Sequence, residues 1–248
     1  MSQSYLYGFH AITRRLQKSP ETCVRLLCLE RRNPRLLAVI DLARKSSISV
    51  KFESRELLDK LSDYQKHQGC MLEISASASS ALTFQELTQG LGQQSLILVL
   101  DGVQDPHNLG ACLRSADATG VDAVIIPKDR AVKLTPTARK VAAGGAETVP
   151  VLEVTNIARC LQDLKQAGVW IYGTSGDATE LIYDFKFDSP VALVMGSEGE
   201  GLRRLTMEQC DHLMKLPMQG AVESLNVSVA TGICLYEILR SRMACSQV

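Results

Sequence analysis

The sequence predicts an α/β protein built on a parallel sheet, with a smaller α/β domain ahead of it. Three observations carry this. From residue 96 onward, short and continuously apolar runs alternate with segments of helical spacing, the pattern of strands buried on both faces and joined by crossover helices. Residues 1–75 show a similar alternation on a smaller scale. Between them, residues 75–82 are serine and alanine closed by Leu82, a composition that buries too little area to offset the entropy of ordering. The boundaries expected are a small domain over 1–75, a linker over 76–94 and a larger domain over 95–248.

In the small domain, residues 11–17 read as a helix and 23–29 as a strand. Residues 35–45 place Leu36, Leu37, Val39, Ile40 and Ala43 at helical spacing. Residues 48–52 alternate as a strand does, Ser54 is an N-cap for a helix over 55–61, and 70–74 close the unit as a strand. A short helix over 83–91 leads into the larger domain. There, Leu96-Ile-Leu-Val-Leu100 is a buried strand, followed by a helix from about Leu109 to Thr119. The alternation continues with a strand over 121–126, a helix over 135–143, a strand over 148–152, a helix over 157–167 and a strand over 169–173. Strands over 191–195 and 212–216, a helix near 203–210 between them, and a long closing helix over 227–240 complete it.

Composition narrows the functional classes. The 248 residues are 46% hydrophobic and 22% charged, with no apolar run long enough to span a bilayer and no signal-peptide pattern at the start, so a cytoplasmic location is expected. The eight cysteines form no CxxC pair, which fits a reducing compartment better than a disulfide framework. The four histidines give no metal-ligand spacing, and no metal is expected. Net charge is zero, but residues 1–69 hold 13 Lys or Arg against 7 Asp or Glu, while the remainder holds 14 against 20. A basic first segment on a neutral chain fits either a nucleic-acid partner or a solvated mixed-charge surface.

Three loops stand out, each at the C-terminal end of a predicted strand, where open α/β sheets bind ligands. Loop 1 is Asp101-Gly-Val-Gln-Asp-Pro-His-Asn-Leu-Gly110, running on to Arg114. Loop 2 follows Val194 as Met195-Gly-Ser-Glu-Gly-Glu-Gly-Leu202. Loop 3 is Leu216-Pro-Met-Gln-Gly-Ala-Val-Glu-Ser-Leu-Asn-Val-Ser228. Asp105-Pro-His-Asn has the makings of a helix cap, and Asn226 those of another. Capping does not account for Arg114, which either pairs with Asp117 at (i, i+3) or points at an anionic ligand near a helix start. Loop 2 has glycine spacing GxxGxG, so it is not a dinucleotide fingerprint, and Glu198 sits among its glycines. No loop offers a nucleophile elbow, a P-loop lysine or a Ser-His-Asp order. The polar set Asn108, Arg114, Glu198, Ser224 and Asn226 suits positioning chemistry on a substrate that supplies its own nucleophile.

Asn108-Leu-Gly-Ala-Cys-Leu-Arg114, Met195 to Leu202, and Leu216-Pro-Met through Ser224-Leu-Asn-Val-Ser-Val-Ala230 together resemble the three signature motifs of the SpoU/TrmH (SPOUT) family of RNA ribose 2′-O-methyltransferases. The resemblance runs from about residue 96 to the C-terminus. Tyr7-Gly-Phe-His-Ala11 and His67-Gln-Gly69 are similar to the ends of the small L30e-like RNA-binding domain found in one branch of that family. That branch methylates a guanosine in the peptidyl-transferase region of bacterial 23S ribosomal RNA. The resemblance implies a parallel sheet with a C-terminal trefoil knot, a homodimer formed through the knotted domain, and S-adenosyl-L-methionine as cofactor. Carried over, cofactor contacts fall at Gly196, Leu216 and Leu225, with Met195 and Met218 nearby. Arg114 takes the family's position for activating the ribose hydroxyl, either as a phosphate clamp that favours the alkoxide or as a base, and a guanidinium is a poor base. Asn108, Glu198, Ser224 and Asn226 would fix the geometry. Arg14, Arg15, Arg31, Arg32 and Arg35 would grip RNA phosphates from the small domain. A relative acting on transfer RNA ribose and a non-catalytic RNA-binding relative are the alternatives.

Overall fold

A computed structural model describes residues 4–7, 9–18, 20–30, 33–62, 67–75 and 82–245. The chain divides into two compact units, Met1–Ala81 and Leu82–Val248.

The first unit is a four-stranded sheet in the order β1-β4-β2-β3. Its strands are β1 (Ser4–Tyr7), β2 (Cys23–Cys28), β3 (Ser49–Phe52) and β4 (Cys70–Ile74). The sheet is mixed: β4 runs antiparallel to β1 and β2, while β2 and β3 are parallel. The sequence did not announce β1, a four-residue strand whose role is to pair with β4. Side chains alternate across the sheet. Leu26 and Cys28 of β2 and Leu72 of β4 pack with Ile12 and Leu16 of α1 (Phe9–Lys18) and with Leu36, Val39, Ile40 and Ala43 of α2 (Pro34–Lys45). On the other face, Leu27 and Met71 meet Leu58 of α3 (Arg55–Leu61). Ser54 caps α3 by accepting from Leu57 N at 3.2 Å, as its position predicted.

The second unit holds seven strands in the order β7-β6-β5-β10-β8-β11-β9, every pair parallel. Its central strands are β5 (Leu96–Asp101), β6 (Ala123–Pro127) and β10 (Val191–Gly196), buried at every position because helices cover both faces. Leu96, Leu98 and Leu100 face one core with Leu193 and Met195. This core is covered by α5 (Pro106–Thr119), α6 (Pro136–Ala142) and α10 (Val227–Cys245). Ile97 and Val99 face the other with Ala192 and Val194, against α8 (Ile157–Gln166) and Leu87 of α4 (Phe84–Gln89).

The stretch expected to be linker therefore ends early. Residues 82–94 carry α4, whose Leu87 is buried in the second core with Leu82, Phe84 and Leu91 packed around it. Thr83 and Glu86 close a capping box at its start. Other boundaries move for local reasons. A short helix, α7 (Gly145–Thr148), occupies the residues just before β7 (Val151–Val154), pushing that strand later than its predicted start. Beyond β8 (Trp170–Thr174), the two-residue β9 (Glu180–Leu181) is too short to leave a periodic signal. The helix α9 (Arg204–Met207) and the strand β11 (His212–Lys215) are shorter than predicted.

One half-buried cation closes the second unit. Arg242, in the last turns of α10, donates to the carbonyls of Phe187 (3.0 Å), Gln94 (2.7 Å), Ser95 (3.1 Å) and Ser189 (3.0 Å). Burial pulls its pKa down from the ordinary arginine value, while Asp122 acts in the opposite sense. Arg242→Ala strips a charged donor from several carbonyls at once and is expected to destabilise the fold by about 2–4 kcal/mol. Urea unfolding followed by the fluorescence of Trp170, the chain's single tryptophan, checks this.

The seven described cysteines outside the C-terminal turn are free, and all but Cys210 are buried. Burial pushes the thiols of Cys70, Cys160 and Cys234 up to about 12, so they behave as small apolar groups. Among the described residues no helix is long and apolar enough to cross a membrane.

Candidate active site

All strands of the second unit are parallel, so β5, β10 and β11 end at one edge of the sheet, and the three loops leave from that edge. Loop 1 turns at once into α5. Its N-cap is Asp105, which accepts from His107 N at 2.8 Å, with Pro106 in the first turn. Asn108 therefore lies inside the first turn, 7% exposed, and its side chain is freed from capping.

Asn108 instead joins the loops. Its Nδ2 donates to Glu198 Oε1 at 3.0 Å. Asn226 Nδ2 donates to the same oxygen at 2.6 Å and to Asn108 Oδ1 at 3.0 Å, and Val227 N approaches Glu198 Oε1 at 3.4 Å. Asn226 Oδ1 caps α10 as well, accepting from Ser228 N at 3.0 Å and Ser228 Oγ at 2.6 Å. One residue from each loop thus meets in a single network around one carboxylate oxygen.

Loop 2 is shaped for this by its glycines. Ser197 and Gly201 bond to each other through main chain in both directions, at 3.0 and 3.1 Å, and close residues 197–201 into a tight reversal. A Cβ on Gly196 would lie 2.1 Å from the carbonyl carbon of Gly201, so no larger residue fits under the reversal. Glu198 is carried outward on that reversal, exposed yet held by its three donors.

Arg114 is exposed on α5. The alternative of an Arg114–Asp117 pair is not realised: Asp117 Oδ1 accepts from Thr148 Oγ1 at 2.6 Å, and Arg114 makes no ion pair among the described residues. Gly145 packs against the main chain beneath it, where a Cβ would stand 2.7 Å from Leu113 O and 3.2 Å from Arg114 Cα. The guanidinium is thus mounted, exposed, on a tightly packed helix.

The residues assigned to the cofactor divide. Gly196 is buried at the end of β10, and Leu216 rests partly on the core. Met218 is half-buried and Leu225 exposed on loop 3, as is Ser224. Met195, expected beside the cofactor, is 3% exposed and belongs to the core, its sulfur accepting from Thr174 Oγ1 at 3.6 Å. Residues 216–225 enter no main-chain hydrogen bond with the rest of the described backbone. Their amide and carbonyl groups are open to a ligand, and an adenosyl or amino-acid moiety held largely by main chain fits such a donor set.

In the first unit, Arg35 is exposed at the start of α2 and Arg15 is half-buried on α1. Arg14 lies on α1, its side chain outside the described set, and Arg31 and Arg32 lie outside the described residues.

Sequence reasoning passed over one pair. Asp101, the last residue of β5, is 1% exposed; its Oδ2 accepts from Arg203 N at 3.3 Å, and its Oδ1 lies 3.4 Å from Arg203 Nη1. The pair ties the start of loop 1 to the end of loop 2. Its signal was an acidic residue closing the apolar run Leu96 to Leu100.

The model of the SpoU rRNA methylase family matches residues 95–236, and that of a domain described as RNA 2′-O ribose methyltransferase substrate binding matches 5–79. Over 242 residues the chain is 51% identical to the 23S rRNA (guanosine-2′-O-)-methyltransferase RlmB of Haemophilus influenzae, covering 96% of this chain and 98% of that protein. It is 47% identical over 239 residues to the enzyme of the same name from Escherichia coli K12, covering 96% and 98%. Among solved structures, one described as an RNA 2′-O ribose methyltransferase aligns at 29% identity and a TM-score of 0.59, over 97% of this chain and 89% of that one. The fold is also that of the SpoU methyltransferase AviRb from Streptomyces viridochromogenes, at 22% identity and a TM-score of 0.62, over 98% and 91%. With one family model over the three-loop unit and relatives matched along nearly the whole chain, the protein belongs to the SpoU rRNA methylase family.

Proposed function

We propose that the chain transfers a methyl group from S-adenosyl-L-methionine to the ribose 2′-hydroxyl of a guanosine in 23S ribosomal RNA, in the peptidyl-transferase region. The observation that carries this is the Asn108–Glu198–Asn226 network, which draws three loops together at the start of α5, the helix that carries Arg114. The close relatives named as 23S rRNA guanosine-2′-O-methyltransferases support the choice of RNA.

The cofactor brings an already activated methyl group, so the protein's task is to bind, orient and ready the nucleophile. Leu216, Met218 and Leu225 on loop 3, with Gly196 beneath loop 2, would hold the cofactor mainly through main chain. Arg114 holds the phosphate beside the target ribose, and its positive charge favours loss of the hydroxyl proton. Asn108, Glu198 and Asn226 fix the distance between the two substrates, and the exposed Ser224 hydroxyl is available to either. The experiment is direct: incubate the protein with labelled cofactor and unmodified 23S ribosomal RNA or transfer RNA, then map the methylated nucleotide. Label at a 23S guanosine ribose is the expected result, and label confined to transfer RNA, or none, overturns it.

Three further parts of the reading go with this one. The path from loop 2 through β11 and loop 3 into α10 is a trefoil knot, consistent with loop 3 ending against Glu198 and Asn108. The first unit binds the RNA backbone, with Arg14, Arg15, Arg31, Arg32 and Arg35 as its cations, in the cytoplasm where ribosomes are assembled. The active species is a homodimer through α10, which exposes Val229, Ile233, Tyr236 and Met243 at positions that share one side of a helix. Ile233→Glu combined with Tyr236→Glu is expected to shift the protein to a monomer by sedimentation velocity. A dimer that persists in that variant places the interface elsewhere.

A further inference from the structure

Beside the three-loop network lies an open depression of about 500 Å³, lined by Gln104, Arg130, Ala131, Val132, Glu200 and Arg203. Gln104 follows β5, Arg130 to Val132 follow β6, and Glu200 and Arg203 follow β10. In the strand order β6-β5-β10-β8-β11, this places the depression on the β6 side of loops 1 and 2, while loop 3 leaves from β11 on the opposite side. The two sides are separated by the residues that would position the reacting groups.

The walls are built rather than incidental. Val132 N donates to Val103 O at 2.9 Å and pins the β6 loop to loop 1. Arg203 is anchored by the buried Asp101. Arg130 is held at φ +57°, a left-handed conformation uncommon for arginine. Arg130 and Glu200 are both exposed, and neither has an ion-pair partner among the described residues. A carboxylate, an uncommitted guanidinium and a primary amide therefore face one space over a small apolar wall of Ala131 and Val132.

That donor and acceptor set selects among nucleobases. Guanine offers N1–H and its 2-amino group to a carboxylate, and O6 and N7 to an arginine fork. Adenine lacks the N1 proton, and the pyrimidines lack N7. Bases in unpaired RNA are recognised through such edges. A phosphate fits less well, because Glu200 would repel it. We propose that this depression receives the guanine base of the target nucleotide, with Glu200 accepting from N1–H and the 2-amino group and Arg130 donating to O6 and N7. The inference rests on the reading that the substrate is a 23S guanosine ribose. It adds the residues that choose the base.

The test uses the full chain and 23S-fragment transcripts carrying guanosine or inosine at the target position. Inosine keeps N1–H, O6 and N7 and loses only the 2-amino group. The unaltered chain is expected to favour guanosine over inosine by roughly 10- to 100-fold in kcat/KM. Glu200→Ala is expected to bring that ratio close to one. Arg130→Asn, chosen because asparagine tolerates the left-handed backbone, is expected to lower both rates by a similar factor and leave the ratio intact. Calorimetric affinity for S-adenosyl-L-methionine should stay unchanged in both variants, which separates base recognition from misfolding. If Glu200→Ala keeps the guanosine-to-inosine ratio, the inference is overturned. The same holds if Arg130→Asn changes only the salt dependence, as loss of a phosphate contact would. If the unaltered chain methylates none of the transcripts, the functional reading itself falls and this inference falls with it.

Discussion

Arg114→Ala is expected to bind S-adenosyl-L-methionine as the unaltered chain does and to lose methyl transfer by about 10²–10³-fold in kcat, the scale seen when one preorganised charge or donor is taken from a site where negative charge develops. The geometry argues for this split. Arg114 is exposed on α5 and shares no hydrogen bond with loop 3 among the described residues, so cofactor affinity has no reason to fall. Its neighbour Asp117 is already engaged by Thr148, and α7 packs through Gly145 against the helix beneath it. The side chain thus has no evident structural role whose loss would mimic a chemical one. Arg114→Lys should recover only part of the rate, because an ammonium keeps the charge but loses the planar fork that grips a phosphate through two bonds. Single-turnover rates with saturating RNA, beside calorimetric cofactor titration, check both. Near-normal turnover in Arg114→Ala would remove the residue from the mechanism.

The strands around this site were legible because burial on both faces leaves no polar position to interrupt them. Leu96 to Leu100 and Val191 to Met195 could be read as strands directly, and both are. The loops were legible for the opposite reason: glycine and uncompensated polar residues have no place in a core, so Asn108, Glu198 and Asn226 could be read as members of one polar set. The bonds among them could not. Asn108 and Asn226 lie 118 positions apart in the chain, and only the parallel order of β5, β10 and β11 brings their loops to one edge. Met195 shows the limit from the other side. The family resemblance placed it near the cofactor, and strand alternation turns its side chain into the core with Leu193. Elements held by pairing alone, such as β1 and β9, carry too few residues for any period to register.

Glu198 gives the second large effect, because three donors converge on one of its oxygens. Glu198→Ala leaves the Nδ2 groups of Asn108 and Asn226 without their shared acceptor, and Asn108 is 7% exposed, so water replaces the bond poorly. The cost should be about 1–3 kcal/mol of stability. The larger loss is in rate, since loops 1, 2 and 3 are no longer held in register, and small misplacements of reacting groups cost on the order of 10²-fold. Glu198→Gln separates geometry from charge. All three bonds end on Oε1, so a glutamine carbonyl oxygen placed there accepts the same donors, and only the negative charge is lost. Because the residue acts through Asn108 and Asn226, the glutamine variant is expected to keep its stability and stay within about tenfold of the unaltered rate. If it falls as far as alanine, the carboxylate's charge or basicity is needed in the reaction itself. A double-mutant cycle with Asn226→Ala gives an independent measure. Residues sharing one hydrogen-bond network couple by roughly 0.5–3 kcal/mol. Additive losses would mean that the network seen between the three loops does not hold them together during turnover.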